Sequence, residues 1–144
     1  MKKITFLVLL SALTLSTIAQ NKFGHINAQE ILLLMPEYKA AGTELESFAK
    51  SLEAQLSSIQ AELQTKYTDY QNNESSLDDL TKQDKEREIQ DLQQRMQDFQ
   101  QRAQQSVQTK EQELLEPVME KARKAIEDVA TEGGYTYIFD RSNG

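Results

Sequence analysis

The chain has 144 residues, a formal net charge of −7, one histidine and no cysteine. That acidic balance argues against nucleic acid as a partner, because binding to a phosphate backbone rests on clustered Lys and Arg. Without cysteine there is no disulfide framework, no thiolate metal site and no lipid-modified cysteine anchor, so stability must come from burial in at most one domain.

The first residues read as a secretory signal peptide. Lys2 and Lys3 form a positive start, Ile4 to Leu15 are apolar apart from Thr5, Ser11 and Thr14, and Thr17 and Ala19 are small. The pattern places cleavage between Ala19 and Gln20. The competing reading is a membrane anchor, but the run falls short of the ~20 residues that span a bilayer and no positive cluster follows it. Cleavage removes two lysines, so the net charge of −7 falls by a further two.

Phe23 to Ile26 is a strand candidate. Asn27 can cap a helix, with Glu30 three residues on as a capping-box partner. Ile31 to Met35 is apolar all round, and Pro36 either kinks that helix or opens a new one at its first turn.

The strongest periodicity follows. Leu45, Phe48, Leu52, Leu56, Ile59, Leu63, Tyr67 and Tyr70 repeat every eleven residues. Eleven residues in three turns is ~3.67 per turn, which predicts a nearly straight or slightly right-handed coil. Residues 71–76 interrupt the pattern with turn formers, and Ser75 or Ser76, with Asp78 or Asp79 three residues later, can start a second helix. From Ile89 the stripe resumes: Leu92, Ala103, Leu114 and Ala125 form one row, and Met96, Val107, Val118 and Val129 another. A third row decays from Phe99 to Lys110 and Lys121, so this seam is weaker.

Glu37 to Asn72 and Ser76 to Glu116 each make a helix on the order of 55–60 Å long at ~1.5 Å per residue. Folded back antiparallel, they bring Pro117 close to Pro36, and the two prolines mark where a hairpin arm joins a base. Beyond Pro117, Val118, Ala122 and Val129 lie on one stripe and Met119, Ala122 and Ile126 on a second, as in a helix packed on two sides. Gly133-Gly134 supplies a C-cap, and Tyr135 to Phe139 reads as a strand with its aromatic residues on one face. The expected fold is mainly α: a long antiparallel helical hairpin, a coiled-coil arm, on a small α+β body. Its parts are a signal peptide (1–19), a strand and short helix of the body (20–36), the arm (37–116, tip near 71–80) and a body helix and strand (117–144).

Catalytic chemistry finds no support. His25 is the only histidine, which argues against a Ser-His-Asp triad and rules out a multi-histidine metal site. No glycine precedes a lysine and no G-x-G occurs, so nucleotide and other cofactors are not expected. Asp78 and Asp79 read as helix-start charges, and Glu62/Lys66 and Glu120/Lys124 as surface pairs along one helix. Tyr67 and Tyr70 are larger and more polar-tipped than a seam needs. They either close the coil near its tip or offer contacts to a bound polypeptide.

Several segments together resemble the Skp/OmpH family of periplasmic chaperones, especially its Bacteroidetes-like members. The resemblance rests on the signal peptide, Lys22-Phe23-Gly24-His25-Ile26-Asn27 with Gln29-Glu30, and Met35-Pro36-Glu37. It continues through the hairpin to Leu114-Leu115-Glu116-Pro117, Ala122 to Ala130 and Gly134 to Asp140. It implies a homotrimer in which three arms enclose a cavity and hold unfolded outer-membrane proteins without ATP. It also implies a further strand and short helix beyond Gly144. On this reading Phe23, Ile26, Val118, Ala122, Ile126, Val129, Tyr135, Tyr137 and Phe139 form the trimer body. Basic arm tips that contact lipopolysaccharide or membrane in relatives are not carried over, because this chain is acidic. The expected function is a periplasmic holdase for unfolded outer-membrane proteins; the alternative is a structural or adaptor coiled coil of the envelope.

Export predicts that protein from the envelope fraction begins at Gln20 by intact mass. A mature chain that keeps Met1 to Ala19 would refute the signal-peptide reading.

Overall fold

The computed structural model describes residues 21–142. The expected signal segment and its cut between Ala19 and Gln20 lie outside the described residues. In chain order the elements are β1 (Phe23–Ile26), α1 (Ala28–Leu34), α2 (Pro36–Asn73), a 3-10 turn (Glu74–Ser76), α3 (Asp79–Glu132) and β2 (Tyr137–Asp140). The chain divides into two units, Gln29–Lys124 and the two chain ends up to Ala28 and from Ala125.

In the unit Gln29–Lys124, α2 and α3 pack as an antiparallel hairpin. Helices of 38 and 54 residues are sustained because Ala, Leu, Glu, Gln and Lys dominate both. Pro36 opens α2 rather than kinking a longer helix. Met35, its N-cap, is extended at φ −74° and ψ 127°, as a residue before proline prefers. Pro117, in contrast, lies inside α3, which runs through it. Its exposed position, shared with Glu113, lets water satisfy the carbonyl that loses its helical donor.

The second helix is capped differently from expectation. Thr81 donates its backbone N–H to Asp78 Oδ1 at 2.9 Å and its hydroxyl to Asp78 Oδ2 at 2.8 Å. Asp78 therefore caps α3, while Ser75 and Ser76 lie in the 3-10 turn before it. Serine is occupied otherwise: the Ser76 hydroxyl donates to the Asn73 carbonyl at 2.7 Å. The carboxylate also suits the positive end of the helix better than a hydroxyl does.

The seam is unevenly covered. Ala41 and Ile59 are buried on α2, and Ile89, Leu92, Val118 and Ala122 on α3. Leu45, Phe48, Leu52, Leu56, Leu63, Met96, Phe99, Val107 and Leu114 are half-buried. A single pair of helices has one interface, so each stripe leaves its flanks to solvent.

In the unit of the chain ends, β1 and β2 pair in parallel, Phe23 opposite Tyr137 and Ile26 opposite Asp140. The pairing continues at both ends, with Thr136 N–H donating to the Lys22 carbonyl at 2.7 Å and Arg141 N–H to the Ile26 carbonyl at 3.0 Å. Helix α3 stops just before β2 in a Schellman turn. Tyr135 N–H reaches the Ala130 carbonyl at 2.9 Å, Gly134 N–H reaches the Thr131 carbonyl at 3.2 Å, and Gly134 takes φ 63°.

The strand begins at Tyr137, and Tyr135 does not share the aromatic face expected of it. Its ring packs on the other side, where a Cβ on Gly24 would lie 3.0 Å from it and a Cβ on Gly133 only 2.5 Å. The turn that ends α3 rotates Tyr135 out of the two-residue alternation. Lys22 closes this corner, with its ammonium 4.2 Å from the Tyr135 ring centroid and bonded to the Gly133 carbonyl at 2.7 Å.

Uneven burial predicts uneven sensitivity. Ile59, only 6% exposed, should lose about 2–4 kcal/mol on truncation to Ala. The half-buried Leu52→Ala should lose clearly less, and denaturant unfolding followed by circular dichroism provides the comparison. Equal losses would show that Ile59 does not anchor the seam.

Candidate functional site

Three surface features of the two units have the makings of a binding site. The first is the outer face of the sheet. Phe23, Tyr137 and Phe139 alternate with smaller or inward residues, so the pleat brings all three to one side. Their ring centroids lie 6.0, 6.2 and 6.4 Å apart in stacked orientations. Within the chain they stay 58%, 61% and 58% exposed. Large aromatic rings on an uncovered two-stranded sheet are costly in water, and such a sheet is marginal alone.

The second feature is a ladder of ion pairs across the hairpin. Lys121 bonds Glu37 near the start of α2, Lys110 pairs with Glu44 at 2.6 Å, and Arg95 approaches Glu62 at 3.8 Å. Towards the turn Lys66 pairs with Glu88 at 2.6 Å and Lys85 with Asp69 at 2.7 Å. The expected pairing of Glu62 with Lys66 along one helix is thus replaced by two cross-helix pairs. Both residues flank the seam, where a group of opposite charge on the facing helix lies within reach.

These contacts set the titration of the groups that make them. The bond to Lys85 holds the Asp69 carboxyl below the usual range, and Lys121 does the same for Glu37. Bonds to Glu88 and Glu44 raise Lys66 and Lys110. The carboxylate contributions are present above the ordinary carboxylate pKa and lost as pH falls through the depressed value. The lysine contributions are lost only as pH rises through the raised values. All these groups are solvated, so each pair contributes little.

The third feature is a set of grooves beside the seam. One of about 560 Å³ is lined by Leu52, Leu56, Phe99, Ala103 and Val107 with glutamines at its rim. A second, around Phe48, carries Arg102, Lys110 and Glu113, and a third towards the turn carries Glu62, Arg87, Glu88 and Arg95.

The expected site residues distribute over these features unequally. Phe23, Tyr137 and Phe139 gather on the open sheet face, and Val129 is also exposed. Ile26, Ile126 and Tyr135 are half-buried, whereas Val118 and Ala122 are already buried within the single chain. Tyr67 is 45% exposed. Tyr70 is tied across the hairpin, its hydroxyl donating to Glu86 Oε1 at 2.5 Å. Among the described residues no cluster of His, Cys, Asp or Glu could hold a metal ion, and no helix is long and apolar enough to cross a membrane.

Sequence reasoning missed Asp140. Its Oδ1 accepts the Ala28 N–H at 3.2 Å, holding the start of α1 to the end of β2, and accepts Ser142 N–H and hydroxyl at 3.0 and 2.7 Å. Those donors hold its carboxyl below the usual range, the Ser142 hydroxyl most. An aspartate just after a strand carries no signal of a helix start more than a hundred residues earlier.

A family model described as "Outer membrane protein (OmpH-like)" matches residues 22–144. No curated protein matches the chain.

The Tyr70–Glu86 bond gives a measurable signature. Donation to the carboxylate, with partial desolvation, pushes the Tyr70 hydroxyl up to about 12. Its folded value exceeds the unfolded one, so its contribution is complete below the ordinary tyrosine pKa and lost as pH rises through about 12. Tyrosinate absorbance should show one late-titrating tyrosine that Tyr70→Phe removes and Glu86→Gln shifts down. An unchanged titration in Glu86→Gln would mean that the bond does not hold in solution.

Proposed function

The chain belongs to the OmpH-like family, and on that premise we propose that it is an ATP-independent periplasmic holdase, binding unfolded outer-membrane proteins in a cavity between the arms of a homotrimer. The family is one of periplasmic chaperones rather than enzymes. What the chain adds is the observation that carries this reading: three stacked aromatic rings on a parallel two-stranded sheet, each more than half exposed among the described residues.

Two strands in parallel leave one row of backbone donors and acceptors open on each side, and an exposed face such as this calls for partner surfaces. Copies of the same chain supply them with closed symmetry. Phe23, Tyr137, Phe139 and Val129 are the residues available for that contact. Holding three arms together converts many weak contacts with one client into a retained complex, since the second and third arms act at high effective concentration. Tyr67, exposed towards the far end of the hairpin, is available to such a client, while Tyr70 serves the hairpin through Glu86.

The wild-type protein should have the native mass of three chains and suppress aggregation of a urea-unfolded outer-membrane β-barrel protein. Phe139→Asp changes a side chain that is exposed in the single chain, so helicity should persist while assembly and protection are both lost. A monomeric Phe139→Asp protein that protects as well as wild type would overturn the trimer-cavity mechanism. Binding to one folded partner, with no protection of unfolded ones, would mark an envelope adaptor instead.

A further inference from the structure

The middle of the hairpin differs from its two ends. Among the described residues, ion pairs cross between the helices at Glu37, Glu44, Glu62, Asp69 and Glu88, but none crosses between the levels of Lys110–Glu44 and Arg95–Glu62. The seam side chains there, from Leu45 to Leu56 and from Met96 to Val107, are half-buried rather than buried. The groove of about 560 Å³ opens in this stretch.

Its lining is ordered. Leu52 and Leu56 repeat every four residues on α2, and so do Phe99, Ala103 and Val107 on α3. Gln100, Gln104 and Gln108 follow the same spacing along the rim, each exposed. None of these three amides bonds another group among the described residues. Four helical residues advance ~6 Å. Two residues of an extended strand advance ~6.6 Å. The rungs of the groove therefore nearly match the same-side repeat of an extended chain, over a length of about five strand residues.

Charge narrows the occupant. This groove carries a single charged side chain, Glu53, whereas the other two contain both arginine and glutamate. A neutral, apolar floor with free amides beside it suits an uncharged extended segment. Alternate apolar side chains of such a segment enter the floor, and its peptide groups exchange hydrogen bonds with the glutamines. We propose that this mid-arm groove is the client-contact face of the arm. It takes an extended, uncharged segment of alternating apolar and polar residues, as a membrane strand of an unfolded β-barrel presents. The assignment rests on the holdase reading for the source of the segment, not for its chemistry.

The chain contains no cysteine, so a single reactive site can be placed at will. Glu53→Cys at the rim and Gln105→Cys in the groove of Arg102 and Lys110 would each carry a benzophenone crosslinker. The probes are a synthetic peptide of about eleven residues alternating Val or Leu with Thr or Gln, a peptide of equal composition with its apolar residues in one block, and a urea-unfolded outer-membrane barrel protein. The label at residue 53 should capture the alternating peptide ~10-fold better than the label at residue 105, and ~10-fold better than it captures the block peptide. Gln100→Glu with Gln104→Glu should raise the peptide Kd ~10-fold, equivalent to ~1.4 kcal/mol, with helicity unchanged. Equal capture from both positions, or of both peptides, overturns the groove assignment even where the wild type protects the barrel protein. Selective capture of the alternating peptide without that protection upholds the groove and sinks the holdase reading. Neither capture nor protection sinks both.

Discussion

Parallel pairing of β1 with β2 is the constraint on which the rest of the chain depends. Two antiparallel strands can be joined by a two-residue turn, but parallel strands need a crossover long enough to return the chain to its starting end. Here the crossover is the whole helical hairpin. Its helices can take almost any length provided that the second returns what the first extends. The eleven-residue repeat makes this possible, because a period close to that of a straight α-helix keeps one stripe in contact without strong supercoiling. The sheet needs only the two ends to come back together, and the arm length is left free.

How much of this was legible from the residues depended on the range of the interaction. The helices, the hairpin and the strand at Phe23 follow from spacing within one segment, and spacing is printed in the sequence. Spacing puts the cap of α3 at Ser75 or Ser76, two or three residues early, because both serines and Asp78 satisfy the same local rule and only the hydrogen bonds to Thr81 separate them. Alternation puts Tyr135 in the strand, two residues before Tyr137, where the structure starts the strand. Yet Gly24 and Gly133 carry the information that a ring must fit against their missing side chains. Cross-helix pairs such as Lys66–Glu88 depend on the register that the turn imposes, and no single-helix pattern contains it.

The candidate site was legible in identity more than in arrangement. Phe23, Tyr137 and Phe139 were all expected in the body, and the structure adds that their rings stack and remain uncovered. Val118 and Ala122 were expected with them but are satisfied within the chain. Apolar periodicity reports that a residue is covered, not by which chain. Among the described residues only six apolar side chains are buried, few for a chain of this length, which is physically consistent with stability shared with partners.

The distance between the strands along the chain also sets a timetable. Lys22 and Thr136, which bond each other, are 114 residues apart. Contacts of such separation form late, because the loop they close has lost all its freedom before they return anything. The hairpin, in contrast, can zip from its turn by local steps. Once Lys121 meets Glu37 most of that loop is already closed, and what remains is two short tails. For a chain that crosses a membrane N-terminus first, β1 emerges early and stays without its partner until residues 137–140 have passed. Phe23 lacks the stacked ring of Tyr137 for all of that interval, and the sheet forms only after the hairpin between its strands has been made.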